Sequence, residues 1–254
     1  LPDIDAVGDA VQVRHAVSGE NTLISLAGPA NKQGRIAADN ICGIASEYKG
    51  TQGSTVIKVF DMTAAVTGLN EKAAKAAGLS YSKVLGYSAS HAGYYPGGRN
   101  MSIKTLFDPD TGRILGAQIV GFDGVDKRID VMATAIRSGL TADDLADLEL
   151  AYAPPYSSAK DPVNMAGFMI QNIMSGIVKQ HFPEDVPALP RDGSVILLDV
   201  RTEKEFSHGC IEGAVNIPLH KLRERLGELD KSKKIYVNCF SGMRSYIACR
   251  ILMG

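Results

Sequence analysis

The fold of the longer part of the chain is decided by residues 102–120, which read SIKTLF-DPDTG-RILGAQIV. Two runs rich in β-branched residues flank Asp108-Pro-Asp-Thr-Gly112, a turn sequence that favours a β-hairpin. A third run of this kind lies earlier, at 55–60. Helical periodicity recurs in three segments, at 70–77, 125–138 and 141–148. The pattern predicts an antiparallel sheet with helices, which is an α+β domain.

The C-terminal quarter of the chain has a different pattern. Two short apolar runs, Val195–Val200 and Lys234–Asn238, end at polar residues and enclose a short helix pattern at His220–Leu226. Buried parallel strands with crossover connections have this appearance, so we predict a parallel-sheet α/β domain. Three prolines among charged residues precede it and predict a linker, with a domain boundary near residues 180–190.

The first fifty residues are too short for a domain. They predict a short strand at Ile4–Val7, a polar loop and a helix at about Asn31–Tyr48. The sequence starts without Met and stops at RILMG, inside an apolar helical pattern. We therefore expect a fragment of a longer polypeptide, of multidomain α/β and α+β class.

Composition narrows the function classes. The 254 residues are 45% hydrophobic and 22% charged, with a net charge of -1, so there is no electrostatic reason to expect nucleic acid or a membrane surface as a partner. No apolar run has the length of a transmembrane helix, and the first residues lack the features of a signal peptide. The four cysteines have neither disulfide-framework nor zinc spacing. We expect a cytoplasmic protein with free thiols and no metal.

A cysteine follows the second apolar run of the C-terminal quarter. The loop Cys239-Phe-Ser-Gly-Met-Arg-Ser245 leads into a helical pattern, so the thiol lies at the positive end of a helix and near Arg244. Both features favour the thiolate, which makes Cys239 a candidate nucleophile. Gly242 allows a tight loop, and Ser245 can cap the helix or donate to a bound anion. The alternative for such a cysteine is a small buried hydrophobic residue.

Residues 195–254 resemble a rhodanese domain. The matching blocks follow the family's order: Leu198-Asp-Val-Arg201, Glu205-Phe206, His208–Pro218 and the Cys-x-x-Gly-x-Arg-Ser loop. The resemblance implies that Cys239 carries a sulfane sulfur as a persulfide, that Arg244 stabilises the anion, and that Arg201 and Glu205 support the loop. The implied persulfide loop consists of Phe240, Ser241, Gly242, Met243 and Ser245.

Loop length separates sulfur transfer from its nearest competitor. Four residues lie between Cys239 and Arg244, one fewer than in the related phosphatases, which leaves a smaller cradle and disfavours an arsenate or phosphate-ester hydrolase. Two features depart from the rhodanese pattern. Cys210 stands where family members commonly have His, and we expect it to be a core substitution rather than a second, resolving thiol. The sequence also stops before the family's last strand and helix, so we expect a domain that lacks a sheet edge.

A second resemblance begins at the N-terminus. A strand pattern ends in Gly8-Asp9, and about twenty residues later 26–35 opens a helix whose free N–H groups could meet an electron-rich ring carbonyl. Gly-Asp alone is a common turn. Strand, Gly-Asp and helix in this order resemble the last flavin-contacting segment of the pyridine nucleotide-disulfide oxidoreductases. The resemblance implies FAD, with the Asp on the ribityl chain and the helix start at the flavin pyrimidine. The implied cofactor-binding residues are Asp9, Ala10 and Ala27.

This resemblance extends through residues 54–165 as the family's dimerisation domain and implies a homodimer. Two blocks, H91AGYYPG97 and A151YAPPYSSAKDP162, look like the coenzyme A disulfide reductase branch. The resemblance places Tyr152, and one of Tyr94 or Tyr95, in the active site of the partner subunit. A phenol there can hydrogen-bond a thiolate or persulfide leaving group. The alternative is that these aromatic residues pack the dimer interface or fill turns.

Other residues of these blocks are expected to be structural. Tyr156 is one of them, and His91 is expected to be a loop residue rather than a general base.

The sequence has no Gly-x-Gly-x-x-Gly, hence neither an adenosine-phosphate site for the flavin nor a nicotinamide site. Cys42 lies in a helix pattern and is expected to be inert. The fragment alone should therefore not catalyse reduction.

Together these features predict the C-terminal part of a flavin-dependent coenzyme A disulfide reductase fused to a rhodanese domain. With FAD and NAD(P)H, the whole protein would reduce coenzyme A disulfide, coenzyme A persulfide or polysulfide, and sulfane sulfur would pass through Cys239. The alternative is a dimeric sulfurtransferase or sulfur-carrier module without reductase activity. The expected segments are the tail of an FAD-binding domain at 1–52, a dimerisation domain at 53–178, a linker at 179–192 and an incomplete rhodanese-like domain at 193–254.

Overall fold

A computed structural model describes residues 4–254, and the chain divides into two compact units, Leu1–Met174 and Ser175–Gly254. Among the described residues, none of the helices combines the length and apolar character needed to span a bilayer. The elements of the first unit are β1 (Val13–Arg14), β2 (Asn21–Thr22), α1 (Ala27–Ile41), β3 (Thr55–Val59), β4 (Met62–Gly68), α2 (Glu71–Ala76), β5 (Ser82–Ala89), β6 (Asn100–Phe107), β7 (Ile114–Gly121), α3 (Val125–Ser138), α4 (Ala142–Asp147) and α5 (Pro162–Met174).

A five-stranded antiparallel sheet, in the order β3-β4-β7-β6-β5, forms the centre of the first unit. The predicted hairpin is confirmed as β6 and β7. At its turn, the Asp108 carboxylate accepts hydrogen bonds of 2.9 Å from the backbone N–H groups of Asp110 and Thr111, and Gly112 has a φ of 72°. Helices α3 and α5 pack on one face of the sheet. The α+β class is therefore confirmed for this unit.

The other face of the sheet has exposed apolar side chains, and at one end its Lys83 and Lys104 pair with Glu71 of α2. Directly opposed residues of antiparallel strands share a face, and the register of β3, β4, β7, β6 and β5 brings six exposed large hydrophobic side chains to this one. We call the set the open sheet face; it consists of Ile57, Val59, Met62, Val66, Tyr87 and Val120. A soluble domain rarely leaves such a surface uncovered.

The predictions for the N-terminal segment are partly wrong. Ile4–Val7 is not a strand, since no described strand pairs with it, and the side chains of Ile4 and Val7 are 65% and 45% exposed. A strand requires a hydrogen-bonding neighbour, which local sequence does not supply. The helix runs over Ala27–Ile41 rather than 31–48, because Leu26 is extended and the chain leaves helical geometry after Cys42, at Gly43 with a φ of 77°.

The second unit is a small parallel α/β domain. Its elements are a 3-10 helix (Pro183–Ala188), β8 (Val195–Asp199), α6 (Glu203–Ser207), β9 (Val215–Asn216), two 3-10 turns (Leu219–Lys221 and Leu226–Glu228), β10 (Lys234–Asn238) and α7 (Met243–Met253). The sheet has the order β10-β8-β9, and both pairings are parallel as predicted. Its core is built from six buried residues, Leu198, Val200, Ile217, Leu222, Leu229 and Ala248.

The helix predicted at 220–226 is wrong. Two separate 3-10 turns take its place, with Leu222 and Leu229 buried on the same core. Apolar residues three or four positions apart satisfy successive tight turns as well as a helix, so periodicity did not separate the two. Sequence analysis also missed α6 and β9, which are five and two residues long. Such short elements carry too few residues to show a period.

Candidate active sites

Cys239 lies directly after β10 and before the N-terminus of α7. Its Sγ accepts a hydrogen bond of 3.1 Å from the backbone N–H of Gly242 and lies 3.5 Å from the hydroxyl oxygen of Ser245. Gly242 has a φ of 101°, a conformation that L side chains rarely adopt, so the tight loop depends on glycine here. The Ser245 hydroxyl lies 2.8 Å from the carbonyl of Gly242 and donates to it while Cys239 is a thiol; its one proton turns to the sulfur when Cys239 ionises.

The loop shifts Cys239 toward its ionised form. Partial burial raises the pKa of the thiol, but hydrogen bonds from the hydroxyl and backbone N–H of Ser245 and from the N–H groups of Gly242 and Ser241 outweigh it and leave the pKa below the usual cysteine value. The first turn of α7 has no side-chain cap, so its N–H groups remain open toward an anion. The arrangement suits a nucleophilic thiolate, or an anion bonded to it.

Arg244 joins the loop to α6 through an ion pair. Its Nη1 and Nη2 donate to the two oxygens of Glu205 at 2.7 and 2.6 Å. Glu205 also accepts from the N–H and the hydroxyl of Thr202 at 3.0 and 2.8 Å, which forms the capping box of α6. The Arg244 guanidinium, followed by the Thr202 groups, holds the pKa of the Glu205 carboxyl far below its usual range. Arg244 thus belongs to the Cys239 loop, and the two terminal nitrogens of its guanidinium point to the Glu205 carboxylate.

The remaining residues of the loop form an exposed rim. Phe240 is 82% exposed and Met243 is 57% exposed. On the other side of α6, Arg201 pairs with the buried carboxylate of Asp199 at 2.6 Å and donates to the carbonyl of Gly209 at 2.7 Å. Cys239 itself is half-buried.

Cys210 is exposed, so the expectation of a core substitution is wrong. The chain at this point follows the short helix α6, and the carbonyl of Gly209 turns toward Arg201 while the next side chain turns out to solvent. Cys42 is likewise exposed and is the C-cap of α1 rather than a residue inside a helix. Among the described residues, no group of three or more His, Cys, Asp or Glu side chains could hold a metal ion.

In the first unit, two of the predicted tyrosines meet. The hydroxyls of Tyr94 and Tyr152 lie 2.8 Å apart, although the residues are 58 positions apart in sequence. The side chains are 77% and 45% exposed, and the hydrogen bond to Tyr94 raises the pKa of the Tyr152 phenol. Tyr95 instead packs edge-on against the ring of the buried His91, with 5.6 Å between ring centroids. We call Tyr94 and Tyr152 the phenol pair.

A cavity of about 520 Å³ lies beside the phenol pair. Its walls come from three segments: the loop after β5, the N-terminal end of α3, and the loop at 151–156. Tyr152 and Tyr156 line it together with His91 and Lys127. Aromatic rings with a few convergent polar groups are typical of a small-molecule site.

Sequence analysis missed the buried charges behind this cavity. Arg128 is 1% exposed and Asp161 2% exposed, and the two form an ion pair of 3.0 Å. A signal was present, because Arg128 falls within the apolar stripe of α3, between Val125 and Met132, which are both buried. A charged residue on a core-facing stripe must find an opposite charge.

The N-terminal residues implicated in flavin binding are open. Asp9, Ala10 and Ala27 are exposed, and the backbone N–H of Gly8 donates to Gln33 at 2.8 Å, which ties the Gly-Asp turn to α1. Leu26, the N-cap of α1, offers no side-chain cap. An open carboxylate beside an uncapped helix N-terminus suits a group that carries hydroxyls and electron-rich carbonyls.

Comparison with known proteins gives two family matches. Residues 54–162 match the pyridine nucleotide-disulphide oxidoreductase dimerisation domain, and residues 182–253 match the rhodanese-like domain. A coenzyme A disulfide reductase of Staphylococcus haemolyticus is 37% identical over 174 residues, which are 68% of this chain and 39% of that protein. The chain thus spans about two fifths of this relative.

Two solved structures of other proteins match nearly the whole length of the chain. The reduced Bacillus anthracis CoADR-RHD is 51% identical, with a TM-score of 0.95, over 99% of this chain and 45% of that one. An NAD-dependent persulfide reductase from A. fulgidus is 40% identical, with a TM-score of 0.87, over 98% of this chain and 44% of that one.

Proposed function

We propose that the chain is part of a flavin-dependent NAD(P)H reductase of coenzyme A disulfide, coenzyme A persulfide or polysulfide. The support is the order of its two domains: residues 54–162 match the pyridine nucleotide-disulphide oxidoreductase dimerisation domain, and residues 182–253 match the rhodanese-like domain. The proposal includes a sulfane sulfur carried on Cys239. One observation carries it: a thiol with a lowered pKa, placed at an open helix N-terminus by a loop whose hydrogen bonds favour the anion.

The geometry of the Cys239 loop supports a sulfur-transfer step. The Cys239 thiolate attacks the outer sulfur of a donor such as thiosulfate, a new S–S bond forms, and the donor S–S bond breaks as sulfite leaves with the electron pair. The terminal sulfur of the resulting persulfide is anionic, and the N–H groups at the start of α7 stabilise it. Only four residues separate Cys239 from Arg244. The short loop suits a single sulfur atom better than it suits a phosphate group.

The phenol pair supports the reductase part of the proposal. Each hydroxyl can donate a proton or a hydrogen bond to a departing thiolate while the rings and the adjacent cavity hold the substrate. We place the pair in the active site of the partner subunit of a homodimer, with coenzyme A as substrate or bound ligand. The open sheet face offers the apolar surface that such a dimer needs.

The family of the first domain implies FAD and NAD(P)H. We propose that Asp9 holds the hydroxyls of the flavin side chain and that the N–H groups near Ala10 and Ala27 face its polar rim, which fits their exposure and the uncapped start of α1. When bound, FAD would pass electrons from NAD(P)H to the disulfide or persulfide. Four free cysteines agree with a reducing, cytoplasmic location.

The sulfur-carrier step is tested by mass spectrometry. The chain is incubated with thiosulfate under non-reducing conditions, and peptides are analysed for the mass of one added sulfur atom. We expect this mass on the peptide that contains Cys239, and its loss in Cys239→Ser. Cys42→Ser, which changes an exposed cysteine of the first unit, is the matched control and should keep it. Added sulfur on Cys210 with none on Cys239 would refute the assignment.

A further inference from the structure

The two loops that carry the phenol pair are joined at their bases by one buried guanidinium. Nη2 of Arg128 on α3 lies 3.0 Å from the carbonyl of Ser90, 3.3 Å from the carbonyl of Tyr156 and 3.1 Å from the hydroxyl of Ser157, and it shares its two N–H protons among these oxygens and Asp161. Nη1 reaches the carbonyl of Gly124 at 3.2 Å. We call residues 90–99 the Tyr94 loop and residues 151–157 the Tyr152 loop. The Arg128 side chain therefore binds the first residue of the Tyr94 loop, the end of the Tyr152 loop and the start of its own helix.

The carboxylate opposite Arg128 is equally constrained. Asp161 accepts from Arg128 Nε and Nη2 at 3.2 and 3.0 Å, from the hydroxyl of Ser157 at 2.6 Å, and from the backbone N–H of Val163 at 3.0 Å. The last bond caps the start of α5. Hydrogen bonds to both partners are needed to offset the free-energy cost of removing a buried ion pair from water, and both Arg128 and Asp161 have them. We call Arg128, Asp161 and Ser157 the hub.

The loops close above the hub. The Tyr94 loop is pinned at its ends, where Ser90 and Arg99 exchange hydrogen bonds of 2.9 and 3.2 Å. The N–H of Ala92 donates to the carbonyl of Ser157 at 2.9 Å, which binds one loop to the other beside the hub. The side chains of Tyr94 and Tyr152 are themselves exposed. The 2.8 Å distance between their hydroxyls therefore depends on the positions of the two loop backbones at the hub.

We propose that Arg128 is a positioning residue, which sets the distance between Tyr94 and Tyr152 by fixing the carbonyls of Ser90 and Tyr156 to one rigid guanidinium. The importance of that distance for catalysis rests on the proposed function; the positioning itself does not. Arginine is required because its planar fork directs several donors in fixed directions, whereas a lysine ammonium is a single point with three rotatable donors.

The test measures the phenol pair directly. The chain is labelled with ¹³C at tyrosine Cζ, the Tyr152 resonance is assigned by its loss in Tyr152→Phe, and its alkaline titration is followed by NMR. In the unchanged chain the hydrogen bond to Tyr94 raises the pKa of Tyr152, so Tyr94→Phe defines the curve without it. We expect Arg128→Lys to move the Tyr152 curve to lower pH, onto that of Tyr94→Phe. Arg137→Lys, an exposed arginine of the same helix, should leave it in place.

A second variant covers the case in which Arg128→Lys does not fold. Arg128→Met combined with Asp161→Asn leaves no buried charge unpaired, and the Asn oxygen can still cap α5. The same shift is expected. An unchanged Tyr152 titration in a folded hub variant overturns the positioning role and leaves the proposed function untouched. Conversely, full reductase activity of the complete protein with Tyr152→Phe would refute the proposed role of the phenols, whatever the titration shows.

Discussion

At the residue scale, the hydroxyl of Ser245 links structure to reactivity. It lies 3.5 Å from the sulfur of Cys239 and braces the loop through the carbonyl of Gly242. Ser245 is the third residue of α7, whose N-cap is Gly242, and its side chain does not cap the helix. Here its hydroxyl and N–H are the largest contributions that lower the pKa of the thiol, against the effect of burial.

Ser245→Ala should make Cys239 less reactive at neutral pH. Burial still raises the pKa of the thiol in this variant, while one of the hydrogen bonds that lowers it is gone, so the thiolate forms at higher pH. A hydrogen bond to an ionised group contributes about 1.5–3 kcal/mol, hence a drop in thiolate fraction of about tenfold or more. The rate of alkylation by iodoacetamide against pH, read by mass spectrometry on the Cys239 peptide, measures it.

Ser241→Ala is the control for this measurement, because Ser241 acts on the sulfur through its backbone N–H and not through its hydroxyl. Its alkylation curve should overlay that of the unchanged chain. Equal curves for both variants would show that the Ser245 hydroxyl does not stabilise the thiolate.

At the element scale, helices α4 and α5 touch through a glycine. A Cβ at Gly167 would lie 2.6 Å from the backbone N of Ala146 and 2.7 Å from the carbonyl of Ala142. Both neighbours are backbone atoms, which cannot move aside as a flexible side chain can. The close approach holds α5, which directly follows the hub residue Asp161, against α4.

Gly167→Ala should therefore destabilise the first unit, by about 2 kcal/mol, since added volume in a tight interface forces the helices apart. Gly34→Ala offers the opposite case within α1, because nothing lies within 4 Å of the Cβ it would add. It should stabilise by roughly 0.5–1 kcal/mol through helix propensity. Urea unfolding followed by circular dichroism compares the two; destabilisation of similar size in both variants would contradict the packing argument.

At the scale of the whole molecule, the chain combines the unit that holds the Cys239 loop with a unit that has the open sheet face. Two neighbouring residues of the edge strand β3 show the difference between the two faces of the sheet. Val56 and Ile57 are 53% and 59% exposed, yet Val56 opposes the buried Ala65 on the helix-covered side, whereas Ile57 opposes Ala64 on the open sheet face. Exposure alone does not distinguish them, but their faces do.

Ile57→Lys should weaken the proposed homodimer at least tenfold, which corresponds to about 1.4 kcal/mol, because a charge would be desolvated in the apolar interface. Val56→Lys adds the same charge one residue away on the other side of the sheet and should leave the dimer intact. Sedimentation equilibrium across a concentration series gives both dissociation constants. A monomeric unchanged chain, or equal weakening by both variants, would exclude the open sheet face as the interface.

Much of the architecture was predictable from local sequence. The hairpin follows from a turn whose aspartate bonds its own backbone, and helix α3 from apolar spacing over Val125–Ser138, the bounds found in the structure. The cysteine loop is equally local, since Cys239, Gly242 and Ser245 lie within seven consecutive residues. Periodicity failed where the elements are short, as at 220–226, and at 4–7, where a strand needs a neighbour.

The sequence by itself determined the two fold classes, the candidate nucleophile Cys239 and the turn chemistry around it, because these depend on interactions between residues close together in the chain. Tertiary structure alone decided that Arg128 meets Asp161, 33 residues away, that the hydroxyls of Tyr94 and Tyr152 touch, and that Cys210 faces outward. The physical reason is that a hydrogen bond depends on distance and direction in space. Residues far apart in the chain acquire both only when the sheet and helices between them have packed.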